Sequence, residues 1–235
     1  MVSGSAPLPP TQFEKWKEIT GHTLLERFGM TEVGMALTNP YEKVKMRLPG
    51  QVGIEFPGVK AKLMDDSSNL HTNPDDPGEL VLQSTCMFDR YLDNEEATNS
   101  SFFTDPSGEK WFKTGDSAMI TNDSYKILGR LSQDIIKKSG YKISALEIEA
   151  CILQSGIVSE VAVFGVADEE YGEEIVAYVA LKDGESQSSA KSTIDAFVRE
   201  QMSNYKVPRI YRFVEKLPRN QMGKVSKVTL KKEHA

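Results

Sequence analysis

Apolar residues recur along this chain in two rhythms, and the change between them comes near residue 130. Over Thr11–Gly21 the spacing of Phe13 and Trp16 predicts a helix, opened by a Thr11–Glu14 capping box and closed by Gly21 as a left-handed cap. From about Pro49 to Leu82 the pattern shortens to strands, "GVKAKLM" and "GELVLQS". Between them "NPDDPGE" is a loop by its turn residues. "WFKTGD" and "YKILGR" predict a hairpin around "TNDS". Beyond Arg130, strands and helices alternate. Ser144 and Glu147 form a second capping box, opening a helix that runs toward Gly156. "VAVFGVA" and "EIVAYVAL" are apolar on both faces, so they predict buried central strands. Ile194, Phe197, Val198 and Met202 repeat at helical spacing ahead of Pro208. "IYRFVEKL" predicts a last strand leading into the loop "PRNQMGKVSK". With no internal repeat or low-complexity segment, the pattern predicts two parts, 1–130 and 131–235, joined near Arg130 to Asp134.

Composition narrows the function classes. A length of 235 residues is enough for one large domain or two small ones with a real core. The net charge of −6 provides no basic footprint, which argues against nucleic acid and anionic membranes as partners. Cys86 and Cys151 lie far apart, so they build neither a disulfide framework nor a thiolate metal site. His22, His71 and His234 are equally scattered, which argues against zinc. No apolar run approaches the roughly 20 residues a bilayer requires. The start, "MVSGSAPLPP", lacks the features of a signal or transit peptide and reads like the inside of a domain.

Four stretches carry candidate chemistry. "KTGD", Lys113 to Asp116, is either a glycine hairpin turn or a carboxylate, Asp116, that accepts ribose hydroxyls. In "PRNQMGK", Lys224 is either a solvated charge or a movable cation for an anionic reaction centre. Arg130, Lys137, Lys138 and Lys142 surround Gly140: a basic solvated hairpin, or a phosphate-facing edge whose glycine lets a ligand approach. In "LLERFGMTEVG", Gly29 permits a tight turn and Thr31 offers a hydroxyl to a phosphate. Glu32 offers a carboxylate to Mg2+, and Phe28 an aromatic face to a planar base. The plainer alternative is a strand ending in a polar turn.

Together "SGSAPL", "RFGMTE", "FKTGD", "GRLSQDIIKKSGYKISALEIE" and "PRNQMGK", in this order, resemble the adenylate-forming acyl-CoA synthetases, the AMP-binding enzymes. The resemblance covers essentially the whole chain. It implies an α/β fold: the C-terminal portion of a large AMP-binding domain with a β-rich subdomain, then a small, mobile α+β domain. It also implies a two-step ligation. A carboxylate attacks the α-phosphorus of ATP to form an acyl-adenylate and pyrophosphate, and the CoA thiol then displaces AMP. By resemblance, Gly4, Ser5 and Ala6 border the adenine with Phe28 packed on it, Gly29 belongs to the same cofactor-binding site, Thr31 touches phosphate and Glu32 holds Mg2+. Asp116 and Arg130 bind ribose, Lys224 bridges carboxylate and α-phosphate, and Gly140 and Tyr141 line the pantetheine path. The smaller part is expected to swing about Ser132 to Asp134, exchanging Lys224 for the Gly140 edge.

The motif context is most similar to family members that activate malonate or methylmalonate, and it implies a mitochondrial matrix location. Arg27 fits that substrate, because a second carboxylate held away from water needs a cation beside it. The plainer alternative pairs Arg27 with Glu26 or another acid on the surface. Two further alternatives stay open: a medium-chain or aromatic acid, and a non-catalytic binding or interaction protein. Phe28 stands where the family usually has Tyr, and the stretch from Arg130 to Gly140 is one residue longer than in most relatives. The Gly- and Ser/Thr-rich phosphate loop of the family does not occur in these residues, so the chain is expected to be a C-terminal fragment.

Overall fold

Two short elements open the chain in the computed structural model, which describes residues 1–221 and 223–234. Strand β1 (Val2–Ser3) is followed by helix α1 (Pro10–Thr20). The helix begins one residue before Thr11, because Pro10 brings a preset φ and needs no partner for an N–H it lacks. Thr11 therefore lies inside the helix, and the Thr11–Glu14 box does not form. Gly21 closes it as expected, at φ 71 with its N–H donating to the Lys17 carbonyl.

The chain divides into two units, Met1–Ile127 and Leu128–Ala235. In the first, β1 runs parallel to β2 (Leu25–Met30), which pairs antiparallel with β3 (Gly34–Thr38), and β3 pairs with β4 (Ile54–Glu55). A second sheet contains β5 (Val59–Met64), β6 (Leu70–His71) and β7 (Gly78–Ser84). After helix α2 (Glu95–Ser101) it is completed by β8 (Phe102–Thr104), β9 (Lys110–Thr121) and β10 (Ser124–Arg130), in the order β10-β9-β7-β5-β6 with β8 on β9. The β9–β10 turn falls at Asn122 and Asp123, both at positive φ as a tight hairpin of this hand requires. "KTGD" is not that turn; it lies inside β9, where the register against β7 slips between Glu79 and Val81. Leu63, Leu80, Leu82 and Phe112 form the centre of the core, with Phe28 and Met30 packed against it.

The second unit holds β11 (Ile135–Lys138), β12 (Tyr141–Ser144), α3 (Ala145–Gln154), β13 (Val158–Asp168), β14 (Gly172–Leu181), α4 (Gln187–Gln201), β15 (Ile210–Phe213) and α5 (Lys227–His234). Ser144 caps α3 by accepting the Glu147 N–H at 3.2 Å, while the Glu147 carboxylate turns away to Lys206. β13 and β14 form a long antiparallel pair. One face of it carries Val163, Ile175, Ala177 and Val179 toward the cluster that includes Ile148 and Ile194 of α3 and α4. The other face carries Ala162, Phe164, Val176 and Tyr178 into a second cluster with Leu217 and with Leu230 of α5. Burial on both faces explains why these strands read as unbroken apolar runs. Among the described residues no helix is long and apolar enough to cross a membrane.

Ile148 is fully buried at the α3 face of the core. Ile148→Ala should lower the opening free energy of β13 and β14 amides in native-state hydrogen exchange by about 2–5 kcal/mol, a cavity effect. The exposed Lys191→Ala should stay within about 0.5 kcal/mol.

Candidate functional site

The β2–β3 hairpin brings together the residues of "LLERFGMTEVG". Thr31 to Val33 form the turn between the strands. A Cβ on Gly29 would stand 2.4 Å from the Gly34 carbonyl oxygen, so the two strands approach each other only because position 29 has no side chain. A register shift between Phe28 and Gly29 accompanies that approach. Gly4, Ser5, Arg27, Gly29 and Met35, with Val2 and Ser3, line one open cleft of about 230 Å³. Ser5 sits there at φ 66. Ala6, Phe28, Thr31 and Glu32 are not on its wall. Phe28 packs against the core instead.

Arg27 has no ion-pair partner among the described residues. Its Cζ stands 5.9 Å from the centre of the Phe56 ring, and its Nε is buried without a hydrogen-bond partner. The neighbouring Glu26 does not serve as its surface counter-ion. Glu26 is buried, and burial pushes its carboxyl up to about 7 against the opposing pull of the Gly50 and Gln51 amides. Its Oε2 and the Gln51 Oε1 both lack a partner, while Asn39 Nδ2 donates to the Glu26 and Gln51 carbonyls at 3.2 and 2.6 Å. Only alternation along the strand hinted at a buried acid here.

Thr31 is exposed at the turn. Glu32 beside it accepts a hydrogen bond from the Tyr91 hydroxyl at 3.0 Å, and its carbonyl takes the Phe88 N–H at 2.8 Å. Tyr91 lies 59 residues away, and nothing in the local sequence marks it. Among the described residues no group of three acidic, His or Cys side chains converges as a metal cage. A single oriented carboxylate suits a Mg2+ held mainly by substrate phosphates. In β9, Asp116 is buried, with its N–H donating to Thr114 Oγ1 at 3.1 Å. The Gly115 N–H is taken by Glu79 at 3.0 Å.

In the second unit Arg130 is exposed at the end of β10, and Asp134 Oδ2 accepts its backbone N–H at 2.9 Å. Gly140 shares the β11–β12 turn with Ser139, both at positive φ, and a Cβ there would meet nothing within 4 Å. Tyr141 is 57% exposed and stacks on Tyr205 with ring centres 4.7 Å apart. The basic edge is narrower than its sequence suggests. Lys138 does not face solvent or a phosphate: it is buried and paired with Glu174 at 2.5 Å. Lys224 is exposed on a loop closed by its own backbone, with its N–H on Asn220 Oδ1 at 3.0 Å and its carbonyl accepting the Asn220 N–H at 2.8 Å. No partner holds its ammonium among the described residues.

Two family models match the chain, AMP-binding enzyme over residues 1–92 and AMP-binding enzyme C-terminal domain over residues 147–224. The mitochondrial malonate–CoA ligase ACSF3 of Bos taurus is 42% identical over 246 residues, covering 97% of this chain and 41% of that protein. The malonate–CoA ligase of Arabidopsis thaliana is 41% identical over 241 residues, covering 99% and 38%. The crystal structure of ATP-bound MatB from Rhodopseudomonas palustris superposes with a TM-score of 0.88 at 34% identity, covering 99% of this chain and 45% of that one. The chain thus spans about two fifths of the length of the curated relatives it matches.

Glu26 predicts a pH dependence. Its folded-state carboxyl lies above the ordinary 4.5, so folding favours the protonated form. That contribution is complete below about 4.5 and is lost as pH rises to about 7. Stability of the first unit should therefore fall across this window, on the order of 3 kcal/mol in total, and Glu26→Gln should flatten the profile in urea melts at stepped pH.

Proposed function

Because the chain belongs to the AMP-binding enzyme family, we propose that it forms the C-terminal part of an acid–CoA ligase whose acid is a small dicarboxylate, malonate or methylmalonate. The observation that carries the reading is Arg27, a residue of the cleft wall whose guanidinium carbon stands 5.9 Å from the Phe56 ring centre and which has no acidic partner among the described residues. A cation left over on a ligand wall suits a substrate that brings its own second carboxylate, which an Arg fork pairs with two parallel hydrogen bonds. The similarity to malonate–CoA ligases of Bos taurus and Arabidopsis thaliana supports the same acid. The mitochondrial location of the animal relative is carried over with it as part of this reading.

In the first step an oxygen of the reacting carboxylate attacks the α-phosphorus of ATP and pyrophosphate leaves with the bond electrons. In the second the CoA sulfur attacks the acyl carbon, the thiol gives up its proton and AMP leaves. Gly4, Ser5 and Gly29 supply a thin wall for the adenine, with Ala6 next to Ser5 and Phe28 next to Gly29 just outside that wall, and the Thr31 hydroxyl donates to a phosphate. Glu32, oriented by Tyr91, would hold Mg2+, which when bound neutralises phosphate charge. Asp116 accepts from a ribose hydroxyl and Arg130 serves the same sugar. Lys224, on an exposed loop and with no partner for its ammonium among the described residues, meets the charge that develops at carboxylate and α-phosphate. Gly140 and Tyr141 border the pantetheine arm.

In the chain extended N-terminally to the length of its relatives, Arg27→Met should cost malonate activity about 100-fold or more, since a second carboxylate would be desolvated without a cation. Butyrate activity should be kept or gained, and kcat/KM for the two acids measures the switch. A variant that keeps the parent's preference returns Arg27 to a structural role. Lys224→Ala should slow adenylation by about 100- to 1,000-fold and largely spare thioester formation from supplied acyl-adenylate; equal loss in both half-reactions would remove Lys224 from the first step.

A further inference from the structure

The second unit buries a charged cluster that the proposed chemistry does not use. Lys227, at the start of α5, places its Nζ 2.5 Å from Asp134 Oδ1 and 2.7 Å from Glu149 Oε1. All three side chains are largely withdrawn from water, at 10, 14 and 15% exposure. The other Asp134 oxygen takes the Arg130 N–H at 2.9 Å, and Glu149 Oε1 also takes the Val163 N–H at 2.7 Å. One ammonium thereby ties α5 to the Arg130–Asp134 turn, to α3 and, through Glu149, to β13. Burial alone would pull Lys227 down, but the two carboxylates hold it above its ordinary value. Burial, the larger effect at Glu149, holds its carboxyl above the ordinary value against the pull of Lys227, and apolar residues of similar volume often replace such a buried cluster without loss of stability. A stability argument therefore does not account for the cluster.

Its place in the chain does. The Lys224 loop is an internally closed lobe, with Gly223 N–H on the Asn220 carbonyl at 2.9 Å and the Arg219–Val225 bridge at its neck. Buried Leu217 anchors the entry to the lobe. The exit runs through Ser226, whose N–H reaches the Pro218 carbonyl at 2.8 Å, to Lys227. We propose that Lys227 is a positioning residue for Lys224: held by Asp134 and Glu149, it fixes the exit of the lobe and hence the direction in which the Lys224 ammonium is presented. The catalytic half of this inference rests on the ligase reading; the ordering of the lobe does not.

Lys227→Met alone strands two buried carboxylates and should destabilise the unit. The informative variant combines Lys227→Met with Asp134→Asn and Glu149→Gln, which removes every charge yet keeps a side-chain oxygen for the Arg130 and Val163 amides. In the 235-residue chain, hydrogen exchange at the Lys224 and Ser226 amides should quicken about tenfold or more in this variant, while Val163 and Ile175 stay within about threefold of the parent. In the N-terminally extended chain, kcat for ATP–pyrophosphate exchange should fall about tenfold or more with the KM for ATP within about twofold. Unchanged exchange at Lys224 and Ser226 overturns the inference, as does unchanged kcat. Protection lost equally at Val163 and Ile175 also overturns it, making the cluster a general support of the unit. An extended parent with no pyrophosphate exchange refutes the ligase reading instead, and the amide data still decide whether Lys227 orders the lobe.

Discussion

The close approach of β2 to β3 at Gly29 decides what each chemically distinctive side chain of the first unit can do. With no Cβ at position 29, the Gly34 carbonyl comes within a distance that any other residue would block. Arg27 and Gly29 then line the cleft, while Phe28 packs inward on the core. The same hairpin buries Glu26 and carries Glu32 in its turn, where Tyr91 takes hold of it. A substitution at Gly29 would disturb cation, carboxylate and cleft wall together, which no single contact in the site would do.

The second unit solves a different problem. Its candidate residues lie on exposed turns and loops, where function commonly sits, and so need rigid neighbours to have a defined direction. The β13–β14 pair, buried on both faces, is that rigid base. Gly140 and Tyr141 are presented from the β11–β12 turn. Lys224 is presented from a lobe held between Leu217 and Lys227. The charged cluster at Lys227 stands in low dielectric, where its contacts are strong and the cost of breaking one is high.

Local punctuation was readable where one residue decides the geometry. Gly21 as a left-handed cap, Ser144 as an N-cap and the bounds of β7 all follow from the sequence. Competition between local signals was not readable: Pro10 starts α1 and overrides the Thr11 box. Helix α5 is not legible in the sequence because its apolar face is short, with Leu230 the residue that anchors it in the core. Gly115 reads as a turn on its neighbours alone, and only pairing against β7 makes it a bulge. In the candidate site, residue types were legible and partners were not. Lys138 reads as a surface cation until Glu174, 36 residues on, buries it, and Tyr91 reaches Glu32 across 59. Such pairings exist only after the sheets have formed.

The proposed ligase adenylates an acid and recognises that acid's second carboxylate. Acid-dependent ATP–pyrophosphate exchange, measured on the parent chain extended to the length of its relatives, tests both parts at once. Strong exchange with malonate or methylmalonate, and little with butyrate or benzoate at equal concentration, is the expected result. Exchange supported equally by the monocarboxylates would contradict it.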